Sequence, residues 1–497
     1  MSKPNRIIFF AGFVFAQIFS FCAFLCAQTI EAKIKIESLS PEIVIVEGAY
    51  SQEQNARRTK NFSFALSYAG IENLGERISD VRLFDENKRE IVHKKLVAGE
   101  YLAEREITSW SYKIKPESGE VTAKAHVSSV SGEQAILMLN DLIPQFDTES
   151  DEKKSAKISF ELPENWKIAS TEKNTGANIF EIADIEKAVF YAGKNWREKE
   201  ISVGGARVHF IINGARQFSD EEAFLLAQEI FGFYQKLFGS APKETVQIYL
   251  GTLGDAKFGR WAAETRGASV TIFSAEMPFK TQSLQRLHEQ LRHEIFHLWM
   301  PNNLNLSGNY DWFYEGFALY ESLRMGVAVN RLRFEDFLDT LARAHSIDSL
   351  QTQRVSLIEA SKNRWNGANT QIYARGMLVA FLCDIAILEK SKGKNSLSDV
   401  LKEIYLKHSF PNLGSEANAA ILSVLRNRSE LRPIIEKYVE GKENIVWKTD
   451  LLAVGIESAE ENFQTKLTVK TKPNGRQKDL LNELGYNNWR KLSESSK

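Results

Sequence analysis

The sequence predicts an α+β chain, with an N-terminal antiparallel β-domain, then a mixed sheet with helices, then a helical lobe. Three observations predict it. Short apolar segments with period-two alternation run from Lys33 to about Trp196. The periodicity changes after Gly204, and from Gln282 to about Tyr438 nearly every segment has helical spacing. A sheet with helices followed by a helical lobe leaves a natural cleft.

In chain order, Lys3 and Arg6 precede an apolar run from Ile7 to Leu25 and a polar stretch from Gln28, the pattern of a secretory signal peptide over residues 1–27. The mature chain is then expected to be exported, periplasmic or secreted. An uncleaved membrane anchor is the alternative; no second spanning run follows. Beyond the leader only Cys383 remains, so no intramolecular disulfide is expected.

The β-domain is assigned to residues 28–200. Its strand candidates carry Ile34 and Ile36, Ile43 and Ile45, Phe62, Phe64 and Leu66, Val127, and Ile158 and Phe160. The charged stretch Asp147 to Lys154 reads as a solvated loop. The catalytic domain is assigned to residues 201–440. In it, His209–Ile212, Thr245–Leu250 and Ser269–Phe273 read as strands. Ser219 with Glu222 forms a capping box for a helix ending at Gly239, with Phe224, Leu225, Ile230, Phe231, Tyr234 and Leu237 as its buried face. Residues 441–497 form a tail with one short apolar helix, Leu480, Leu481 and Leu484, and too little else for another domain.

Composition narrows function. Lys and Arg number 63 against 64 Asp and Glu, so no net charge draws the chain to nucleic acid. At 43% hydrophobic the chain must bury large cores, which excludes a disordered reading.

The chemistry begins at His293-Glu294-Ile295-Phe296-His297, the H-E-x-x-H pattern of zinc peptidases. Two histidines four residues apart lie one above the other on a helix, so both imidazoles can reach one ion at about 2.0–2.1 Å. Glu294 faces the same cleft, placed to take a proton from a metal-activated water and pass it to the departing amine. Leu284, Leu287, Leu291, Ile295 and Leu298 form the core stripe, and the histidines fall nearly opposite. His288-Glu289, one turn earlier, reads as a solvated pair. A catalytic zinc needs a third protein ligand. Glu315 supplies it from Asp311-Trp312-Phe313-Tyr314-Glu315-Gly316, where the aromatic residues imply burial and an unpaired carboxylate would be costly.

At these motifs the sequence resembles the gluzincin peptidases and, within them, the glycyl aminopeptidase family, whose third ligand sits in a Trp-Phe-x-Glu-Gly segment like Trp312 to Gly316. Ile372 to Ala380 is similar to the family's tyrosine segment, Leu397 to Val400 to its next helix, and Leu162 to Lys167 to a strand end of its β-domain. The likeness spans roughly Lys33 to Glu457. It implies a thermolysin-like catalytic domain, one zinc ion, and a peptide or protein substrate. It further implies Tyr373 as donor to the oxyanion of the tetrahedral intermediate, the alternative being a core tyrosine. It also implies that Glu264, in Trp261 to Ala268, binds the substrate's free α-amine, the alternative being a surface turn. At Glu264 the match is partial, since alanines stand where the family has glycines before that glutamate and a neighbouring histidine is absent. Two further departures bear on substrate choice: the stretch between His297 and Glu315 is short for the family, and the tail cannot hold a PDZ domain.

The expectation is an exported zinc metallopeptidase, with aminopeptidase preferred. The alternatives are a zinc endopeptidase, which would need a cleft open at the amine-binding end, and a non-catalytic zinc-bearing scaffold.

Overall fold

A computed structural model describes residues 30–50, 59–116, 121–145, 155–254 and 257–488. The expected signal peptide, and all of the Asp147 to Lys154 loop, lie outside the described residues.

The amino-terminal part is two packed sheets. A seven-stranded sheet is built around Ile30–Leu39, which pairs antiparallel with Glu42–Tyr50 and parallel with Ala156–Glu161; its other pairings are antiparallel. A four-stranded antiparallel sheet containing Gln134–Met138 and Val189–Gly193 closes over it. Alternation delivers Ile34, Ile36, Ile158 and Phe160 to the core between them, as expected. In Glu42–Tyr50 the parity is reversed: Val44 and Val46 are buried while Ile43 and Ile45 are half-buried. Phe62 and Phe64 pack on Tyr112, but Leu66 is exposed, and Val127 is buried in a turn rather than a strand.

The next sheet is mixed. Its order is Arg197–Val203, Ala206–Ile212, Thr245–Thr252, Ser269–Ser274, Trp261–Arg266, with three parallel strands flanked by an antiparallel strand at each edge. It begins at Arg197, a few residues before position 201. One face packs on the four-stranded sheet, where Tyr191 stacks on Tyr249 at 4.6 Å. The other face packs on the helices Asp220–Phe238 and Lys280–His297. The first of these helices has the expected capping box and ends at Gly239 with φ 86°. Leu237 is half-buried and Leu225, one residue round the helix from buried Phe224, points to solvent.

In Lys280–His297 the apolar stripe is buried except for half-buried Leu284, and so are His293, Glu294 and His297, so the polar face is a second buried surface. His288 is also buried, which corrects the solvated-pair reading: its Nδ1 lies 3.3 Å from Arg292 Nη1, and burial and that arginine push it down to about 3. Glu289 alone is exposed, paired with Arg286.

The helical lobe is led by Asp311–Ala328, Phe334–Ser349, Asn369–Ser391 and Leu397–His408. Gly316 and Gly376 set the closest approach between two of these helices. A Cβ on Gly316 would lie 2.5 Å from Gly376 Cα, so the backbones touch with no side chain between. Among the described residues, Arg364–Ser391 is long and apolar enough to cross a membrane, and 89% of its apolar window is buried inside the protein. The end of the chain does more than expected: besides the helix Gly475–Glu483 it forms a hairpin, Ile456–Glu461 with Gln464–Val469, and Leu480, Leu481 and Leu484 join the core of the lobe.

Candidate active site

Three donor atoms converge from two helices. His293 and His297 bring their Nε2 atoms to 3.1 Å from one another. Glu315, from Asp311–Ala328, places Oε2 3.3 Å from the first and 3.4 Å from the second. Donors held at about 2.0–2.2 Å around a tetrahedral ion stand roughly 3.3–3.5 Å apart, so this triangle has the size of a zinc site. It is the one such cluster of His, Cys, Asp or Glu among the described residues.

The chemistry of the donors agrees. His297 Nδ1 lies 2.9 Å from the Met300 carbonyl, which can only accept, so Nδ1 carries the proton and the Nε2 lone pair is free. Glu315 Oε2 is buried without a hydrogen bond, a cost that a bound cation removes. Burial alone would raise the Glu315 carboxyl; Arg364 and the two histidines outweigh it and hold it well below the usual range. The residues present therefore fit a zinc ion held by His293, His297 and Glu315.

Glu294 is buried beside the triangle. Thr265, on the edge strand Trp261–Arg266, holds its Oγ1 2.8 Å from Glu294 Oε2 and 2.8 Å from the Glu294 carbonyl. One carboxylate oxygen is thereby positioned, and Oε1 has no protein hydrogen bond among the described residues.

Tyr373 stands at the start of Asn369–Ser391, its ring 6.4 Å from that of His293. Its oxygen accepts from Arg364 Nη2 at 2.7 Å, so the phenol proton is the group left to donate, and in this structure the Glu315 carboxylate is its hydrogen-bond partner. Burial and the Glu315 charge push its titration well above the ordinary tyrosine value, so it remains a donor at neutral pH.

Arg364 was not legible in the sequence. Besides Tyr373 it donates to Glu315 Oε1 and Asp311 Oδ1, each at 2.9 Å, and to Tyr314 Oη at 3.3 Å. It sits in an irregular turn, Arg364–Ala368, and its partners lie on a different helix, so no spacing announces it.

Glu264 does not lie in a surface turn. It is on the edge strand, next to Thr265, with a largely buried side chain. Its Oε1 accepts from Tyr68 Oη at 2.5 Å and from Arg266 Nε and Nη2 at 3.1 and 2.9 Å, and His126 Nδ1 lies 2.6 Å from Oε2. Burial opposes its ionisation, but Arg266, His126 and Tyr68 prevail and bring it down to about 2. His126 comes from the amino-terminal part, so a histidine absent from the neighbouring sequence reaches this glutamate through the fold.

These groups line one cleft of about 950 Å³ with walls from both parts of the chain. A tight turn, Tyr68 to Ile71, spans it. Ala69 and Gly70 have positive φ, and the turn closes with hydrogen bonds both ways between Tyr68 and Ile71. Tyr68 contacts Glu264 on one wall, and Gly70 lies against Trp365 on the other, where an added Cβ would be 3.1 Å from the ring.

Neither a family model nor a curated protein matches the chain. Solved structures do. An aminopeptidase N family protein from Idiomarina loihiensis aligns with TM-score 0.73 at 16% identity, covering 87% of this chain and 79% of that one. An M1 zinc metallopeptidase from Deinococcus radiodurans aligns with TM-score 0.55 at 14% identity, covering 84% and 95%. A mutant of the latter, crystallised with a Tyr-Ser-Ala substrate, aligns equally well. The chain has the fold of these aminopeptidase N family and M1 zinc metallopeptidase structures.

Proposed function

We propose that the protein is a zinc-dependent peptidase of the gluzincin type, acting as an aminopeptidase. The observation that carries this reading is the donor triangle of His293, His297 and Glu315 with Glu294 beside it. Structural zinc is usually closed by four protein ligands, whereas three leave a position for water and substrate. A zinc ion held there would supply Lewis acidity, polarising the scissile carbonyl and raising the acidity of the attacking water. Glu294, with one oxygen pinned by Thr265, takes the proton of that water and delivers it to the leaving amine. Tyr373, its oxygen already served by Arg364, directs its proton to the oxygen that gains charge as the carbonyl becomes tetrahedral.

The preference for amino-terminal cleavage is supported by the turn Tyr68 to Ile71, which touches both walls of the cleft and obstructs a chain that would continue past Glu264. It is also in keeping with neighbours of the same fold crystallised with a tripeptide or with single amino acids. Export belongs to the same proposal, on the strength of the leader sequence alone. The test is to incubate the purified mature chain, with one equivalent of zinc, with a mixed peptide library and sequence the products. Stepwise loss of amino-terminal residues, abolished by chelation, is expected; internal cleavage would make the enzyme an endopeptidase, and no cleavage would end the peptidase reading. Fractionation of the native host, with the first residue of the mature chain determined, tests export.

A further inference from the structure

Resting on the peptidase reading, we infer that the cleft recognises the substrate's free amine through His126, with Glu264 as the residue that holds His126 in place.

Glu264 by itself is poorly suited to meet an ammonium group. Its Oε1 already accepts three hydrogen bonds, its Oε2 is taken by His126, and Arg266 balances its charge at 2.9 Å. Arg266 is itself fixed from the other side, donating to Asn140 Oδ1 and, at 3.0 Å, to the His126 carbonyl. An incoming cation would have to compete with a complete set of partners.

His126 is different. Glu264 is ionised and can only accept, so Nδ1 of His126 must carry a proton, and in the neutral ring Nε2 is left as the acceptor. That nitrogen has no hydrogen-bond partner among the described residues. The side chain is 24% exposed and lines the cleft. A carboxylate that orients an imidazole so that its far nitrogen can act on substrate is a familiar arrangement of polar groups; here it would receive an N–H of the substrate amine.

The position is also right. Glu264 is adjacent on the edge strand to Thr265, the residue that pins Glu294, and His126 lines the same cleft as Glu294. An aminopeptidase needs its amine anchor one residue from the reacting carbonyl. The turn Tyr68 to Ile71 closes the cleft at the same place.

The experiment compares L-alanine p-nitroanilide with its des-amino analogue, propionic p-nitroanilide, on the zinc-loaded full chain. The parent should favour the amine substrate. His126→Asn can still donate to Glu264 but has no atom where Nε2 was, and it should lower the ratio of kcat/KM values by about tenfold to a hundredfold, mainly through KM. His126→Gln, whose amide reaches that position, should recover part of the ratio. An unchanged ratio in His126→Asn, with a collapsed ratio in Glu264→Gln, would overturn the assignment and give the amine to the carboxylate. Equal hydrolysis of both substrates by the parent would overturn amine recognition while leaving the peptidase reading intact. Hydrolysis of neither would end both. ¹⁵N-histidine spectra of the parent should show a histidine Nε2 resonance, assigned by its absence in both His126→Asn and His126→Gln, moving with alaninamide and not with propionamide; movement with neither would overturn the inference.

Discussion

Arg364 donates to Tyr373 at 2.7 Å from nine residues upstream, across the turn that leads into the tyrosine's helix. The same guanidinium holds Glu315 at 2.9 Å, so one side chain links the proposed third metal ligand to the proposed oxyanion donor. Arginine's planar fork allows this division of contacts.

Tyr373→Phe removes one hydroxyl and keeps the ring. We expect kcat to fall by about 10² to 10³, the usual cost of one oxyanion donor, with zinc content and melting temperature unchanged. Steady-state kinetics check it. A loss confined to KM would make Tyr373 a pocket residue.

Glu294→Gln retains the size of the side chain and its contact with Thr265 but cannot accept a proton. Zinc should stay bound at one equivalent while kcat falls by about 10² to 10⁴. Metal analysis beside turnover separates the two effects, and an active variant would sink the role assigned to Glu294.

Arg364→Lys keeps the charge and loses the fork. Because Glu315 Oε1 and the Tyr373 oxygen would no longer share a donor, zinc affinity should drop about 10- to 100-fold, with kcat falling as well. Competition with a chelator of known affinity measures the first. Unaltered affinity would confine Arg364 to the tyrosine.

Glu321 gives a pH dependence. It is buried in the Glu315 helix with a hydroxyl partner, Ser398, at 2.9 Å, and burial, only partly offset by Arg324, raises its carboxyl to about 7. A raised carboxyl favours the protonated fold, so this residue costs stability increasingly as pH climbs from about 4.5 to 7, and the cost is then constant. Glu321→Gln should therefore be more stable than the parent by about 1–3 kcal/mol at pH 8, with the gap closing toward pH 4.5. Thermal melts across that range decide; a gap independent of pH would place the ionisation elsewhere.

Much of the candidate metal site could be read from the sequence because its information is local. His293, Glu294 and His297 occupy one helical turn, and Glu315 is embedded in its own aromatic segment. His126 and Arg364 could not be read, since each acts on residues of other elements: His126 meets Glu264 at a separation of 138 residues. The reversed strand parity has a different cause. Ile43 to Val46 is an unbroken apolar run, so alternation does not choose which pair faces inward. The hairpin of the tail escaped notice because only Ile456 and Leu467 of its strands are buried, leaving almost no apolar period to detect.

The contact between Gly316 and Gly376 gives the site a mechanical datum. Glu315 and Tyr373 belong to the two helices that meet there, one and three residues from the point of contact, and nothing compressible separates the backbones. Their separation is thus set by hard contact instead of by a flexible side chain, and it cannot drift as surrounding packing varies. A single methyl group at either glycine would act as a shim, prising Glu315 from Tyr373 while leaving both side chains intact, and damage to the proposed catalysis would then arise from residues that never touch the substrate.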